Sequence, residues 1–144
     1  MSDFSNDIAK FNWIYKLPVN AKPSLNVGVP VDDRLTAFKN ILGEELEEID
    51  EIIDLAKAGG DPLEILTKLA DFLGDVQVYC ASEMAKFGLP LDSVLSIIMQ
   101  SNFSKLGGDG QPIYDERGKV QKGPFYWKPE PKIKALLASL QSMP

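Results

Sequence analysis

Glu44, Glu45 and Glu48 stand where a helix should be hiding hydrocarbon. At about 100° per residue, Phe38, Leu42, Ile49, Ile52 and Ile53 fall on one helical stripe. Glu45 projects from within that stripe, and Glu44 and Glu48 lie along its border. Glu47, Asp50, Glu51 and Asp54 point the other way, towards water. A lone carboxylate taken out of water costs several kcal/mol, so it neutralises, pairs with a cation or binds a metal. No Lys or Arg occurs between Asn40 and Leu55. The counter-charge must come from elsewhere, and a divalent metal is the economical source.

A second acidic group lies further along the chain. From Leu69 to Ala81 the only charged residues are Asp71 and Asp75, one turn apart on the same side of a helix that is otherwise apolar nearly all round. Two long helices joined by a short turn are antiparallel neighbours. That arrangement faces Glu44, Glu45 and Glu48 against Asp71 and Asp75. Carboxylates crowded in this way push each other's pKa upwards. Oxygen-only ligands, without nitrogen or sulfur, favour Mg²⁺ or Mn²⁺ over zinc or copper. A solvated acidic face explains Glu47, Asp50, Glu51 and Asp54, but not Glu45 or Asp75.

Composition narrows the chemistry further. At 144 residues the chain predicts one domain spanning 1–144, long enough to bury a sizeable core. A net charge of −6 argues against nucleic acid or an anionic membrane as partner. Seven of the 21 carboxylates lie between Glu44 and Asp54, so the acid is concentrated where the stripe is. With no histidine, Ser-His-Asp catalysis, His-ligated zinc and Glu-x-x-His di-iron sites are excluded. The single cysteine, Cys80, forms no intramolecular disulfide and reads as inert core. No apolar run approaches a membrane span, and no signal-like segment opens the chain, so the expected location is cytoplasmic.

The elements that must position these residues are helical. A short amphipathic helix is predicted over about 3–15, with Phe4, Ile8, Phe11 and Ile14 near helical spacing. Leu17 to Pro30 carries three prolines and reads as a connection. Asp32 or Asp33 is placed to cap a helix running to about Lys57, closed by Gly59-Gly60. Asp61-Pro62 opens the next helix, which runs to about Phe87 and stops at Gly88. A further helix spans about Asp92 to Leu106. Pro112-Ile113-Tyr114 and Lys119-Val120 read as short extended pieces around a Gly118 turn, and a last helix comes after Pro131. The fold class is all-α: an antiparallel bundle of four to five helices with a small β-like C-terminal flap.

On these residues the chain resembles the all-α nucleoside triphosphate pyrophosphohydrolases, the superfamily of MazG-like enzymes, dimeric dUTPases and phosphoribosyl-ATP pyrophosphohydrolases. The family pattern of Glu-x-x-Glu, with Glu-x-x-Asp further along, maps onto Glu45, Glu48 and Asp75, and Asp71 to Tyr79 resembles the second motif. Phe72 stands where that motif has its Glu, and Asp71 is the nearest carboxylate to take over the position. Gln100-Ser-Asn-Phe-Ser-Lys-Leu106, with the glycine-, proline- and lysine-rich segment up to Pro124, looks like the tail of a MazG-like branch. The resemblance implies metal-dependent hydrolysis of a nucleoside triphosphate to monophosphate and pyrophosphate, with a metal-activated water attacking the α-phosphorus. It implies Glu45, Glu48 and Asp75 as metal ligands, with Asp71 beside them. Glu44 would be a further ligand or the base that orients the water. Asn102, Ser104 and Lys105 would contact phosphates, with Lys105 neutralising charge in the transition state. Lys119 and Lys122 would be flap cations, and Tyr79 a substrate contact. Mg²⁺ is the implied cofactor, with Mn²⁺ as substitute.

Two other readings stay open. One is a non-catalytic helical module that binds a nucleotide or dimerises, which Phe72 favours. The other is the phosphoribosyl-ATP pyrophosphohydrolase activity. A base could stack on Phe11, Trp13 or Tyr15 in the first helix, or on Tyr126 or Trp127 in the flap. A helix as apolar as Leu69–Ala81 needs neighbours on most sides, so a homodimer or higher homo-oligomer is expected. Such an assembly would let Lys119, Lys122 or the flap aromatics reach a partner's site.

Overall fold

A computed structural model describes residues 2–144, which gather into two compact units, one running to Gly88 and the other Leu89–Pro144. Among the described residues there are six helices: α1 (Asp3–Ile14), α2 (Val31–Leu46), α3 (Glu48–Lys57), α4 (Pro62–Lys86), α5 (Leu91–Phe103) and α6 (Glu130–Gln141). The protein is an all-α bundle. Among the described residues its only β-like feature is the Tyr114–Val120 antiparallel bridge in the flap.

In the first unit, α4 is the spine against which α1, α2 and α3 pack. It starts where the sequence places it: the Asp61 carboxylate accepts from Glu64 N at 3.1 Å, and Pro62 fills the first turn, whose N–H would be unpaired anyway. The predicted cap of α2 is different. Pro30 occupies the N-cap position without a side-chain bond, and Asp32 and Asp33 lie in the first turn, where their charge complements the helix dipole.

The predicted single helix 32–57 is broken at Glu47. Glu47 N bonds to Glu44 O (3.2 Å) and Asp50 N to Glu47 O (3.1 Å). These are i→i+3 bonds, which tighten the turn between α2 and α3. The break falls between Glu44–Glu45 and Glu48.

The proline-bearing connection is tied down by α4's orphan carbonyls. Asn20 N donates to Ala85 O, Asn20 Nδ2 to Lys86 O at 2.7 Å, and Ser24 N to Phe87 O at 2.9 Å. Gly88 is needed there: its φ is +66°, and a Cβ would collide with the Lys22 carbonyl. The apolar core of this unit is Ile8, Val27, Phe72, Ala81 and Phe87.

Several expectations need correction. The buried side of α1 is Ser5, Ile8 and Asn12, whereas Phe4, Phe11 and Ile14 are exposed. The shift has a polar cause. Asn12, fully buried, donates from Nδ2 to Ser82 O at 3.0 Å and accepts from Ser82 Oγ at 2.6 Å. Ile53 is exposed, and so is Cys80, which is not a core residue. The apolar face of α4 is likewise uncovered within one chain: Leu63 is 71% exposed, Leu66 60% and Leu73 49%. No helix is long and apolar enough to cross a membrane among the described residues.

The second unit packs α5 against α6. The flap between them turns at Asp115–Gly118, where the Asp115 carboxylate accepts from Arg117 N and Lys119 N. In the first unit, Asn12→Ala would strand the buried Ser82 hydroxyl. It should destabilise the protein by about 2 kcal/mol, read as a lower denaturation midpoint with an unchanged denaturant slope.

Candidate metal centre and nucleotide pocket

The expected acids lie on helices that pack against each other, α2 and α3 on one side and α4 on the other. The half-buried positions of α2 run Val31, Arg34, Phe38, Ile41, Leu42 and Glu45, a stripe facing α4 that continues into α3 at Ile49 and Ile52. Glu45 therefore lies within the bundle-facing stripe, while Glu44, Glu47, Glu48, Asp50, Glu51 and Asp54 are exposed. Opposite them on α4, Asp75 is half-buried, Asp71 is exposed and Phe72 is core at 4% exposure.

Their charges bear on Glu48. Its carboxyl is raised above the ordinary 4.5, first by the charge of Glu45, then by desolvation, Asp75, Asp71 and Glu51. Tyr79 is raised as well, chiefly by a hydrogen bond to Glu45 and then by that residue's charge. Glu45, Asp75 and Asp71 thus act on Glu48, and Glu45, Asp75 and Glu48 on Tyr79. Among the described residues no Lys or Arg neutralises them, since the ion pairs of this unit gather on Glu83.

The donor set fits a hard divalent cation. Glu45 Oε2 is buried and has no hydrogen-bond partner, an orphan acceptor of the kind that normally has a ligand. All the neighbouring donors are oxygen, as Mg²⁺ and Mn²⁺ prefer. No three acidic or thiol groups stand in ligating geometry among the described residues. Mutual repulsion favours splayed carboxylate rotamers, and chelation would require the Glu45, Glu48 and Asp75 side chains to turn inward. Glu44, exposed at the border, is not among the groups that raise Glu48.

Beside the carboxylates, α1 and α4 enclose an open pocket of about 420 Å³, lined by Phe4, Asp71, Gly74, Asp75, Gln77 and Val78 among others. The hydrophobic spacing of α1 placed Phe4 in the core and so missed it as a pocket wall. Gly74 was the available signal. A glycine inside a helix costs about 1 kcal/mol relative to alanine, and here a Cβ would meet nothing within 4 Å.

The second unit places its expected phosphate contacts by itself. Asn102 is exposed and Lys105 half-buried at the end of α5. Ser104 is committed elsewhere: its hydroxyl donates to Ser101 O at 2.6 Å and accepts from Trp127 N at 3.2 Å. Its one proton is used, so in this conformation it has none to offer a phosphate. Ser101 Oγ donates to Trp127 O, and Gly123 N to Lys105 O, fastening the flap strap to the end of α5. A Cβ at Gly123 would collide with the Leu106 carbonyl. Lys119 and Lys122 are exposed or nearly so, with Lys122 Nζ 4.9 Å from the Tyr126 ring centroid and Lys132 Nζ 3.8 Å from that of Trp127. Phe11 and Tyr15 pack ring against ring at 4.7 Å, and Trp13 stays exposed.

No protein-family model matches this chain, and no curated protein does. A solved structure does: that of a "putative NTP pyrophosphohydrolase" from Exiguobacterium sp. 255-15, which aligns over 97% of this chain and 96% of its own length with a TM-score of 0.53 and 23% identity. At that identity the likeness establishes a shared fold.

Because Glu48 titrates higher in the fold than its ordinary value of 4.5, the metal-free fold holds its proton more tightly than the unfolded chain. This contribution favours the fold at low pH and is lost as pH rises through the raised range. Glu45→Gln removes the largest cause. In metal-free buffer it should therefore raise the unfolding temperature relative to wild type near neutral pH, and do so less at about pH 4. A difference independent of pH would show that the two carboxylates do not interact.

Proposed function

We propose that the protein is a metal-dependent nucleoside triphosphate pyrophosphohydrolase, cleaving its substrate to monophosphate and pyrophosphate. The observation that carries this reading is the buried, unpartnered Oε2 of Glu45, with further acids rather than a basic partner beside it. The name of the Exiguobacterium structure that shares the fold agrees with it. Glu45, Glu48 and Asp75 would hold the cation, with Asp71 flanking the site in place of the carboxylate that Phe72, buried in the core, cannot supply. When bound, Mg²⁺ or Mn²⁺ supplies Lewis acidity and lowers the pKa of water.

The chain's own residues do the rest. Glu44, exposed at the rim, is the group free to orient a water and accept its proton. Tyr79, which feels the Glu45 charge most strongly, is the hydroxyl suited to orient that carboxylate. The pocket is of a size used for small ligands. Phe4 offers a ring face and Gln77 an amide that both donates and accepts, a combination suited to a nucleobase. Asn102, Lys105, Lys119 and Lys122 bring donors and cations suited to phosphate oxygens. In this reading the exposed α4 face of Leu63, Leu66 and Leu73 is covered by a second copy of the chain in a homodimer.

Pyrophosphate release from a panel of ribo- and deoxyribonucleoside triphosphates, with and without Mg²⁺, tests the activity. Turnover should require the metal, and Glu45→Gln should abolish it while leaving helicity intact. Full metal-dependent turnover in Glu45→Gln would refute the site. Nucleotide binding without turnover would favour the non-catalytic module. Asp71→Asn should weaken Mg²⁺ binding in calorimetry, and unchanged affinity would reduce Asp71 to a surface residue. Light scattering at micromolar concentration should give at least twice the chain mass.

A further inference from the structure

Arg34 and Glu45 stand eleven residues apart on α2, close to three full turns. They share the half-buried stripe that faces α4. At the start of that stripe Arg34 Nε donates to Glu83 Oε2 at 2.8 Å, and Lys86 Nζ donates to Glu83 Oε1 at 3.0 Å. The Glu83 and Lys86 side chains are more than nine-tenths buried. One carboxylate thus serves two cations, but the two ion pairs differ mechanically. Lys86–Glu83 lies within α4 and joins nothing else. Arg34–Glu83 ties the first turns of α2 to the last turns of α4.

At the last turn of α2, the same stripe carries Glu45, half-buried with one carboxylate oxygen out of contact with water. Along α2 the stripe therefore runs from the ion pair at Arg34, through Phe38, Ile41 and Leu42, to the acid at Glu45. Apolar side chains accommodate a small slide of one helix along another, whereas a charge-assisted hydrogen bond of fixed length does not. The guanidinium is also held in a way that costs stability, since Arg34 Nη2 is buried without a partner. A buried ion pair is weak as a source of stability, and its best-attested use is to fix register.

We propose that the Arg34–Glu83 ion pair is a register pin for α2 on α4, which makes Arg34 a positioning residue for the Glu45, Glu48 and Asp75 carboxylates. This inference rests on the reading of those carboxylates as a metal site. It assigns a role to the opposite end of the helix, about 16 Å from Glu45 at 1.5 Å per residue.

The two arms of Glu83 allow a selective test. Arg34→Met leaves Glu83 its Lys86, and Lys86→Met leaves it Arg34, so neither strands the carboxylate. Mn²⁺ affinity of the full chain is measured by calorimetry, with thermal unfolding of the same samples. Both variants should unfold at lower temperature. Only Arg34→Met should weaken Mn²⁺ binding, by about tenfold, the low end of the loss seen when groups supporting metal ligands are removed. Arg34→Lys, which keeps the charge and is the variant to use where Arg34→Met does not fold, should fall between. Equal Mn²⁺ affinity in wild type and the Arg34 variants, or equal losses in Arg34→Met and Lys86→Met, would overturn the pin while leaving the metal site standing. No Mn²⁺ binding by the unaltered protein would overturn the metal site and the pin with it.

Discussion

The carboxylate of Glu45 is the constraint around which the first unit is arranged. It sits on the half-buried stripe of α2, one turn after Ile41 and Leu42. One of its oxygens is buried without a partner. Such a group opposes folding unless something compensates it. Around it and Glu48 the seam gathers the Tyr79 ring and further acids, with no Lys or Arg among the causes of their shifts. A bundle that tolerates this arrangement gives up stability for a site that a divalent cation would complete.

The rest of the architecture can be read from that position. The antiparallel turn at Ala58–Asp61 brings α3 and α4 alongside each other, so acids distant in sequence face one another. The break at Glu47 separates Glu45 from Glu48 by one tightened turn. Phe72, where a carboxylate would otherwise add to the charge, belongs to the core. At the far end of α4, Asn12, Arg34 and Asn20 each bring a different segment onto Ser82, Glu83 and Lys86. The spine thus carries paired carbonyls and an ion triad at its C-terminal end and uncompensated acids near its middle.

Much of this was legible in the sequence, for reasons that can be traced. Asp61-Pro62 and Gly59-Gly60 act through local backbone chemistry, so they place helix ends without reference to the fold. The runs Asn40–Leu55 and Leu69–Ala81 contain acids but no base, which made the charge imbalance visible before any contact was known. What escaped depends on distant or collective effects. Periodicity put Phe4, Phe11 and Ile14 inside, but the pairing of Asn12 with Ser82, seventy residues away, sets the rotation of α1. Periodicity likewise marks the α4 stripe, including Cys80, as seeking cover, but does not say whose residues provide it. The Ser104 hydroxyl looked free because its partner, Trp127 N, comes from a strap with no helical or strand pattern.

The central claim is that Glu45, Glu48 and Asp75 share a divalent cation. Anomalous scattering from a crystal grown with Mn²⁺ tests it most directly. The account predicts a manganese peak about 2 Å from Glu45 Oε2, with Glu48 and Asp75 turned towards the same ion. A well-ordered Glu45 facing only water or protein, with manganese absent or bound elsewhere, would contradict it.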